Sequence, residues 1–170
     1  MAVNVFLSVG RTSSPAQETF VASVERYMTT RGLRSRTVGR NEFTHKQPLK
    51  LVDDLMNRCA GALVIALERI FIETAIDRRG SINAQQIRGT ALPTPWNQIE
   101  AAFGYAKKLP LLVIKEDCVR EEGLLEGRYD WYVHSTSLDL NFLASAEFEG
   151  TFESWCRDVK RRAGWFRCRN

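Results

Sequence analysis

The sequence has very little histidine and no closely paired cysteines. It contains 2 histidines and 4 cysteines among 170 residues, and no two cysteines are separated by only two residues. A zinc site needs several such ligands at short spacings, and a disulfide framework needs a dense set of cysteines. We therefore expect no metal centre and reduced thiols, as in the cytoplasm. The cysteines are Cys59, Cys118, Cys156 and Cys168.

Long hydrophobic runs are also missing. No stretch approaches the ~18 apolar residues of a membrane-spanning helix. Residues 1–10 lack the basic start and the long apolar core of a signal peptide. The sequence predicts a cytoplasmic protein with no membrane partner.

The charge balance is modest. The formal net charge is +4, and the basic excess lies in the C-terminal segment 158–170, where short clusters are typical of a solvated terminus. We therefore expect no nucleic-acid partner. With 44% apolar residues, the chain is long enough for one buried core and too short for two ordinary domains. The sequence predicts a single domain over 1–170.

The first part of the chain alternates between strand and helix patterns. A β-branched and aromatic run at 3–9 predicts a buried strand that ends at Gly10. Ser14 and Gln17 form a capping box at the start of a helix, and Gly32 ends that helix.

A second β-α-β pattern follows. An arginine-containing strand at 33–39 is expected at a sheet edge, a helix begins at Pro48, and a fully apolar strand lies at 62–67. Residues 68–93 are long for a connection in a compact domain, so we expect a functional or mobile insert there.

Thr94 and Pro95 are typical of a helix start, and the helix is expected to run to about Lys108. An apolar strand at 109–114 follows it. The remaining predicted elements are a last strand within 127–134 and a C-terminal helix near 149–163.

Strands that alternate with helices predict a parallel sheet covered on both faces. The fold class is therefore α/β, with a flavodoxin-like, doubly wound and mainly parallel sheet. In such sheets ligands bind outside the carboxyl ends of the strands, where the strand order reverses. The loops after the first and third strands and the start of the helix at Pro95 are thus the expected site.

Four apolar residues of that helix share a face at helical spacing: Trp96, Ile99, Phe103 and Ala106. Glu100 follows Trp96 by four residues and is expected at the edge of this stripe, facing the strand ends. The spacing is also that of an ordinary solvated glutamate on a helix flank. Residue types alone leave both interpretations open.

Three stretches carry a family resemblance. They are "VFLSVG", "GRNEFTHKQPLKLVDDLMNRCAGALVIAL" and "WNQIEAAFGYAKKLPLLVI". In this order they resemble the first strand, the BB loop with its following helix and strand, and the tryptophan-x-x-x-glutamate helix of a bacterial-type TIR (Toll/interleukin-1 receptor) domain. In TIR domains that cleave NAD, this glutamate is the catalytic residue. The resemblance therefore implies an NAD hydrolase or cyclase in which Glu100 is catalytic and NAD is the substrate rather than a cofactor.

The chemistry expected of Glu100 follows from the reaction. Cleavage between nicotinamide and ribose passes through an oxocarbenium-like centre that a fixed carboxylate stabilises. Helix N-termini and oriented N–H groups favour phosphates, although residues in the same places can simply form turns and caps. The expected substrate-binding residues are Trp96, Gly10, Arg11, Ser13, Ser14, Arg40, Asn41, Phe43 and Glu68.

The resemblance also implies self-association through TIR-type contacts and a role in anti-phage defence. Many TIR domains are non-catalytic assembly modules, so an adaptor or nucleotide sensor is the alternative. A second alternative is a nucleoside 2-deoxyribosyltransferase-like enzyme, a more distant resemblance that rests on Gly89, Thr90 and "GYA" at 104–106. In those enzymes the glutamate lies two residues before that glycine, whereas Glu100 lies four before Gly104. The product, the activating signal and the oligomer geometry do not follow from the sequence.

Overall fold

The structure is a computed structural model that describes residues 2–45, 47–127 and 130–167, without the side chains of 165–167. The strands are β1 (Val3–Val9), β2 (Leu33–Arg36), β3 (Gly61–Ala66), β4 (Ile70–Asp77), β5 (Gln85–Leu92), β6 (Leu111–Glu116) and β7 (Tyr132–Thr136). The α-helices are α1 (Pro15–Thr30), α2 (Pro48–Met56), α3 (Pro95–Ala106) and α4 (Ala146–Arg167). Two short 3₁₀ helices lie at Gly123–Leu125 and Leu140–Ala144.

Five strands form one parallel sheet in the order β2-β1-β3-β6-β7. This is the flavodoxin-type order, which reverses direction between β1 and β3. Ser8 pairs with Val64, and Val9 pairs with Ile65, at the carboxyl end of that junction. The predicted fold class is therefore confirmed, and the switch point lies beside Ser8.

Alternate side chains of the central strands point to opposite faces of the sheet and pack in separate hydrophobic clusters. Leu63 and Ile65 pack with apolar residues of α1 and α4 on one face of the sheet. On the other face, Ala62 packs with α2, and Val64 packs with α3. The period of two along a strand thus explains why helices cover both faces.

The predicted helix start at Ser14 is confirmed. Its hydroxyl oxygen accepts a hydrogen bond from the Gln17 backbone N–H at 3.2 Å, and Pro15 occupies the first helical position. This bond satisfies one of the unpaired donors at the helix start. The loop between β1 and α1 is thereby held at the carboxyl edge of the sheet.

The insert predicted at 68–93 contains an antiparallel hairpin. Its strands pair from Ile70 with Leu92 to Asp77 with Gln85. The hairpin is tied to the loop after β6, because the Ala91 N–H donates to the Cys118 carbonyl at 2.8 Å. The hairpin therefore has a fixed base beside the switch point.

Several element boundaries differ from those predicted. The last strand is Tyr132–Thr136 rather than 127–134, and Arg128 and Tyr129 lie outside the described residues. The strand β2 is shorter than predicted, and it lies at the sheet edge as expected. The C-terminal helix begins at Ala146, before the predicted 149. Over the parts of the chain that the structure describes, no helix is both long and apolar enough to cross a membrane.

Candidate active site

A cavity of about 290 Å³ lies at the carboxyl edge of the sheet, where the strand order reverses. The loop after β1, the start of α2, the base of the hairpin and the first turns of α3 form its walls. Its lining residues are Val9, Gly10, Arg11, Val38, Pro48, Val52, Arg69, Thr94, Trp96 and Glu100. Glu100 is the acidic residue among them.

Helix α3 turns a different face to the sheet than its apolar spacing predicts. Asn97, Glu100, Ala101 and Gly104 are buried, whereas Trp96 is 38% exposed. The predicted apolar stripe is therefore wrong. The residues with small side chains, Ala101 and Gly104, face the sheet, and a Cβ at Gly104 would lie 3.4 Å from the Cβ of Ala62, so the helix packs directly against β3 there.

This rotation places Glu100 under the cavity instead of on an exposed flank. Its side chain is 8% exposed. Burial penalises the charged form and raises the pKa of Glu100 to about 7, while a hydrogen bond with the Ser8 side chain opposes this rise. A carboxyl group with this pKa is present in both ionisation states near neutral pH. It is therefore able to act as a base or as an electrostatic partner for a cation.

Asn97, which precedes Glu100 by three residues on α3, forms hydrogen bonds with the strands at the switch point. Its side-chain amide donates to the Ser8 hydroxyl oxygen at 3.0 Å, to the Ser8 carbonyl at 3.4 Å and to the Ile65 carbonyl at 3.3 Å. These acceptors belong to β1 and β3, the two strands between which the order reverses. Because Asn97 and Glu100 are three residues apart, they share a helix face and the amide fixes how the carboxyl is presented.

Close packing at Gly10 shapes the wall opposite Glu100. A Cβ on Gly10 would lie 2.9 Å from Cγ2 of Thr94, which is closer than real Cβ contacts allow. Thr94 is the N-cap of α3, and its hydroxyl oxygen accepts from the Trp96 N–H at 3.4 Å. The absence of a side chain at Gly10 thus lets the loop after β1 lie against the start of α3.

Two arginines bring positive charge to the cavity. Arg11 belongs to the loop after β1, and Arg69 lies between β3 and the hairpin, where it donates to the Thr94 hydroxyl at 3.5 Å. Neither guanidinium forms an ion pair within the part of the chain that the structure describes. Their charge is therefore available to an anionic ligand.

A second cavity of about 470 Å³ adjoins the first, and the two share Val9, Gly10, Arg11 and Val38. Arg40 lines this second cavity and is paired with Glu18 at 2.6 Å and Glu25 at 3.1 Å. Phe43 is 76% exposed and lines a further small cavity of about 170 Å³. The loop at 38–44 therefore extends the crevice away from Glu100.

The structure brings together Glu100, Trp96, Gly10 and Arg11 in one cavity, with Arg40 and Phe43 further along the crevice. The other four predicted residues make bonds within the protein. Asn41 accepts from the Thr37 N–H at 2.8 Å, which stabilises a turn.

Ser13 donates to the Gln17 side chain through its backbone N–H at 2.8 Å and its hydroxyl at 3.0 Å, and Ser14 caps α1. The Glu68 carboxylate accepts from the Cys118 thiol at 3.3 Å. The backbone N–H of Glu68 donates to Glu116 at 2.8 Å. These bonds leave the predicted role of the four residues in substrate binding untested.

Two of the described thiols, those of Cys59 and Cys118, have raised pKa values, which disfavours the reactive thiolate. Burial raises the pKa of Cys59 to about 12, and burial together with Glu68 raises that of Cys118 to about 11. Cys156 is also a free thiol, whereas Cys168 lies outside the described residues. Within the ranges the structure covers, no group of three or more His, Cys, Asp and Glu residues is placed to hold a metal ion.

A larger cavity of about 820 Å³ lies at the amino edge of the sheet, beside Lys108, Pro110 and Trp131. In open α/β sheets ligands bind at the carboxyl edge. The smaller cavity is also the one that contains a buried carboxyl group with a shifted pKa. We therefore assign the candidate active site to the cavity above Glu100.

Sequence reasoning missed Ser8, Asn97, Thr94 and Arg69 as parts of this site. A serine within an apolar strand and an asparagine in the first turn of a helix are polar residues at positions that the topology buries. That pattern was the available signal, because buried polar groups need partners.

Comparison with known proteins supports the fold alone. No protein-family model and no curated protein matches this chain. Among solved structures, the metal-soaked flavodiiron core of Flv1 from Synechocystis sp. PCC6803 matches with a TM-score of 0.52 and 14% sequence identity. The match covers 94% of this chain and 36% of that one, so the chain spans about a third of the length of the solved protein.

These findings overturn the proposed family resemblance. The absence of any matching family model and the similarity to a flavodiiron core give no support to a TIR domain or to a deoxyribosyltransferase relative. The predicted family is therefore wrong. The motif order that suggested it reflects strand, helix and loop patterns that many doubly wound sheets share.

Proposed function

We propose that this protein cleaves the N-glycosidic bond of NAD, with Glu100 as the catalytic residue. The observation that carries the proposal is a buried carboxyl group, with a pKa of about 7, in a cavity at the switch point of the sheet. The proposal rests on the chemistry of this cavity and not on a family.

The first support is the burial of the Glu100 carboxyl group. Loss of a base from ribose develops positive charge on C1′ and the ring oxygen. A carboxylate held in a site from which water is largely excluded stabilises such a charge more strongly than one in water. Its fixed position also means that little reorganisation is needed as the charge forms.

The second support is that Glu100 is the acidic residue of the cavity lining. Departure of a neutral base is assisted by a second group that protonates it. Nicotinamide in NAD is attached as a cation and leaves as a neutral molecule, so it needs no proton. One carboxylate therefore suits NAD better than an ordinary nucleoside.

The third support is the positive charge of the cavity lining. Arg11 and Arg69 line the cavity without ion-pair partners in the described residues, and Arg11 also lines the adjoining cavity. Guanidinium groups bind phosphate through paired N–H donors. A diphosphate between two riboses would meet Arg11 where the two cavities join, which leaves the adjoining cavity for the adenosine half.

The C1′–N bond breaks and its electron pair stays on nicotinamide, while the Glu100 carboxylate stabilises the positive charge at C1′. Water then adds to C1′ and gives its proton to Glu100, which forms ADP-ribose. An internal nucleophile of the same substrate would form a cyclic product instead.

Nicotinamide release from NAD tests the proposal directly. We expect release by the wild-type protein and a loss of about 10³-fold or more in Glu100→Gln, since the amide cannot stabilise the charge or accept the proton. Glu149→Gln is the matched control because this glutamate is exposed on α4 and outside the cavity. It should keep wild-type activity.

The assay should be run at low and high protein concentration, with chromatography of the co-product. Absence of release by folded protein at every concentration would contradict the proposal and favour a nucleotide-binding module. Base exchange from a deoxynucleoside without loss of NAD would also contradict it. ADP-ribose or a cyclic nucleotide as co-product would distinguish hydrolysis from cyclisation.

A cytoplasmic location, self-association and a role in antiviral defence stay predictions. The last two depend on the family resemblance, and the cavity lining provides no argument for either. Sedimentation of the purified protein over a range of concentrations would test self-association without reference to activity.

A further inference from the structure

The hairpin of β4 and β5 presents apolar side chains to solvent. Ile70 and Phe71 are each 53% exposed, Ile76 is 57% exposed, and all three belong to β4. Within the described residues, β5 is the element against which β4 packs most extensively. A two-stranded ribbon is only marginally stable in water, and contiguous exposed apolar surface marks a site of interaction. The free side of β4 is therefore a candidate interaction surface.

The two edges of this ribbon differ. On the β5 side, the Ala91 N–H donates to the Cys118 carbonyl at 2.8 Å, and the Ala91 carbonyl accepts from the Arg120 N–H at 2.9 Å. Both backbone groups of Ala91 thus point away from β4. The loop after β6 runs parallel to β5 at this point and occupies the base of the edge.

The other edge belongs to β4, and the direction of its backbone groups follows from the register. Phe71 lies opposite Ala91. In an antiparallel pair, opposite residues turn their backbone groups either toward each other or both away, so Phe71 directs its N–H and C=O outward. The same register holds at both ends of β4, so Glu73, Ala75 and Asp77 also direct theirs outward. No backbone hydrogen bond joins these four residues to a part of the described chain outside the ribbon.

We propose that β4 pairs with β4 of a second copy of this chain, antiparallel about a twofold axis, so that the two hairpins form one four-stranded sheet. A row of outward N–H and C=O groups is a template for such pairing, and a twofold axis makes a strand its own partner. The surface contains no residue of the cavity lining above Glu100. The inference is therefore independent of NAD cleavage.

One register pairs all four outward residues of β4. Phe71 then lies opposite Asp77 of the second copy, and Glu73 lies opposite Ala75. This arrangement places no two acidic residues opposite each other. Asp77 is also neutralised within its own chain, because its carboxylate lies 2.6 Å from Nη2 of Arg120.

The neighbouring registers are less favourable. Because outward groups alternate, the strands can be displaced only in steps of two residues. One such step places Glu73 opposite Glu73, and a step in the other direction places it opposite Asp77. Like charges directly opposite each other destabilise a strand pair. The favoured register also brings Ile72 of one copy opposite the exposed Ile76 of the other, so charge and apolar surface select the same pairing.

Sedimentation equilibrium of the full chain over a range of concentrations measures this association. We expect a concentration-dependent dimer in the wild type, and Ala75→Pro should raise the dimer dissociation constant at least tenfold. Proline removes an N–H that points to the second copy and not to β5, so the hairpin keeps its own hydrogen bonds. A wild-type protein that stays monomeric up to its solubility limit would overturn the inference. A dimer that Ala75→Pro leaves unchanged would place the interface elsewhere and also overturn it.

Ile82→Ser is the matched control. Ile82 is 101% exposed in the turn between the two strands, so it tests whether exposed apolar side chains of the hairpin cause association without strand pairing. Its dimer dissociation constant should equal that of the wild type. Equal weakening by Ile82→Ser and Ala75→Pro would contradict pairing through the edge of β4.

A cysteine variant tests the register and decides the question if Ala75→Pro does not fold. Thr74 lies opposite its own equivalent at a position without hydrogen bonds between the copies, where Cα atoms are about 4.5 Å apart and a disulfide is possible. Thr74→Cys should therefore form a covalent dimer under oxidised glutathione. Glu73→Cys should not, because its two Cα atoms would be about 8 Å apart. Absence of the Thr74→Cys dimer, or equal cross-linking of both variants, would overturn the proposed pairing.

Discussion

Glu18 and Glu100 both lie near the crevice at the carboxyl edge of the sheet, but their surroundings shift their pKa values in opposite directions. Glu18 is on the first turn of α1, and hydrogen bonds from Arg40 and Thr12 lower its pKa to about 2. Glu100 lies on the buried face of α3, and desolvation raises its pKa to about 7. Near neutral pH the same type of side chain is therefore fully ionised in one place and only partly ionised in the other.

The two environments suit the two glutamates to different roles. The Glu18 side chain is 49% exposed, so water screens its ion pair and the pair contributes little to stability. Glu100 forms no ion pair with any of the described residues and gives up solvation, which weakens the fold at neutral pH but leaves a reactive group in a cavity. The Glu18–Arg40 pair at the surface is thus suited to holding the 38–44 loop in place, and the buried carboxyl group of Glu100 is suited to catalysis.

The sharpest test of the comparison is the pH dependence of NAD cleavage. If the ionised form of Glu100 is the active one, kcat/KM for NAD, which reports the pKa of the free protein, should fall about tenfold per pH unit below pH 7, which is about 100-fold at pH 5. Nicotinamide release between pH 5 and 9 measures it. A rate that rises toward pH 5 would show that the protonated form acts and would contradict the mechanism.

The stability cost of Glu100 is the next largest effect. Its pKa rises from 4.5 to about 7 on folding, so the folded state binds more protons between these values. Stability is therefore fully present below pH 4.5 and falls by about 3 kcal/mol as the pH rises through 7. Urea unfolding at pH 5 and pH 8 should show this loss in the wild type and its absence in Glu100→Gln; an equal loss in both proteins would refute the burial argument.

A smaller effect is expected from the arginines of the crevice, which differ in whether they form an ion pair. Arg11 and Arg69 line the cavity without an ion pair in the described region, whereas Arg40 is paired. We expect Arg11→Gln to raise KM for NAD about tenfold with little change in the unfolding free energy, since it removes a phosphate contact but no internal bond. Parallel steady-state kinetics and urea unfolding measure both. An unchanged KM would remove Arg11 from the binding site.

The smallest expected effect concerns the surface pair itself. Glu18→Gln removes the bond to Arg40 and should cost less than about 1 kcal/mol at pH 7, because the pair is exposed. Since its pKa is lowered, that contribution is present above pH 4.5 and disappears as the pH falls toward 2. At 1 M salt, urea unfolding should show a still smaller contribution of the pair to the free energy of unfolding. A cost of several kcal/mol would mean that the pair is effectively buried.

Much of the fold was accessible from the sequence because its signals are local. The β-branched run of β1, the Ser14 cap and the apolar run of β3 each specify an element without reference to the rest of the chain. Their alternation then leaves few arrangements open, since parallel crossovers are right-handed. This is why the doubly wound sheet was predicted while several element ends were not.

The sequence predicts only part of the candidate site. Glu100 and Trp96 were selected, but the spacing of apolar residues pointed to the wrong face of α3. Tertiary packing decided the rotation: the face with Ala101 and Gly104, whose side chains are small, lies against β3. Periodicity reports where apolar residues lie and says nothing about which face the sheet can accommodate.

By itself, then, the sequence determined most strands of the parallel sheet, the helices and the order in which they alternate, but not the β4–β5 hairpin. The tertiary structure decided the rest: it placed Asn97 against two strands, and it brought Arg11, Arg69 and Glu100 into one cavity. These contacts join residues far apart in the chain. The physical reason is that desolvation, which sets the pKa of Glu100, depends on everything packed around a group and not on its neighbours in sequence.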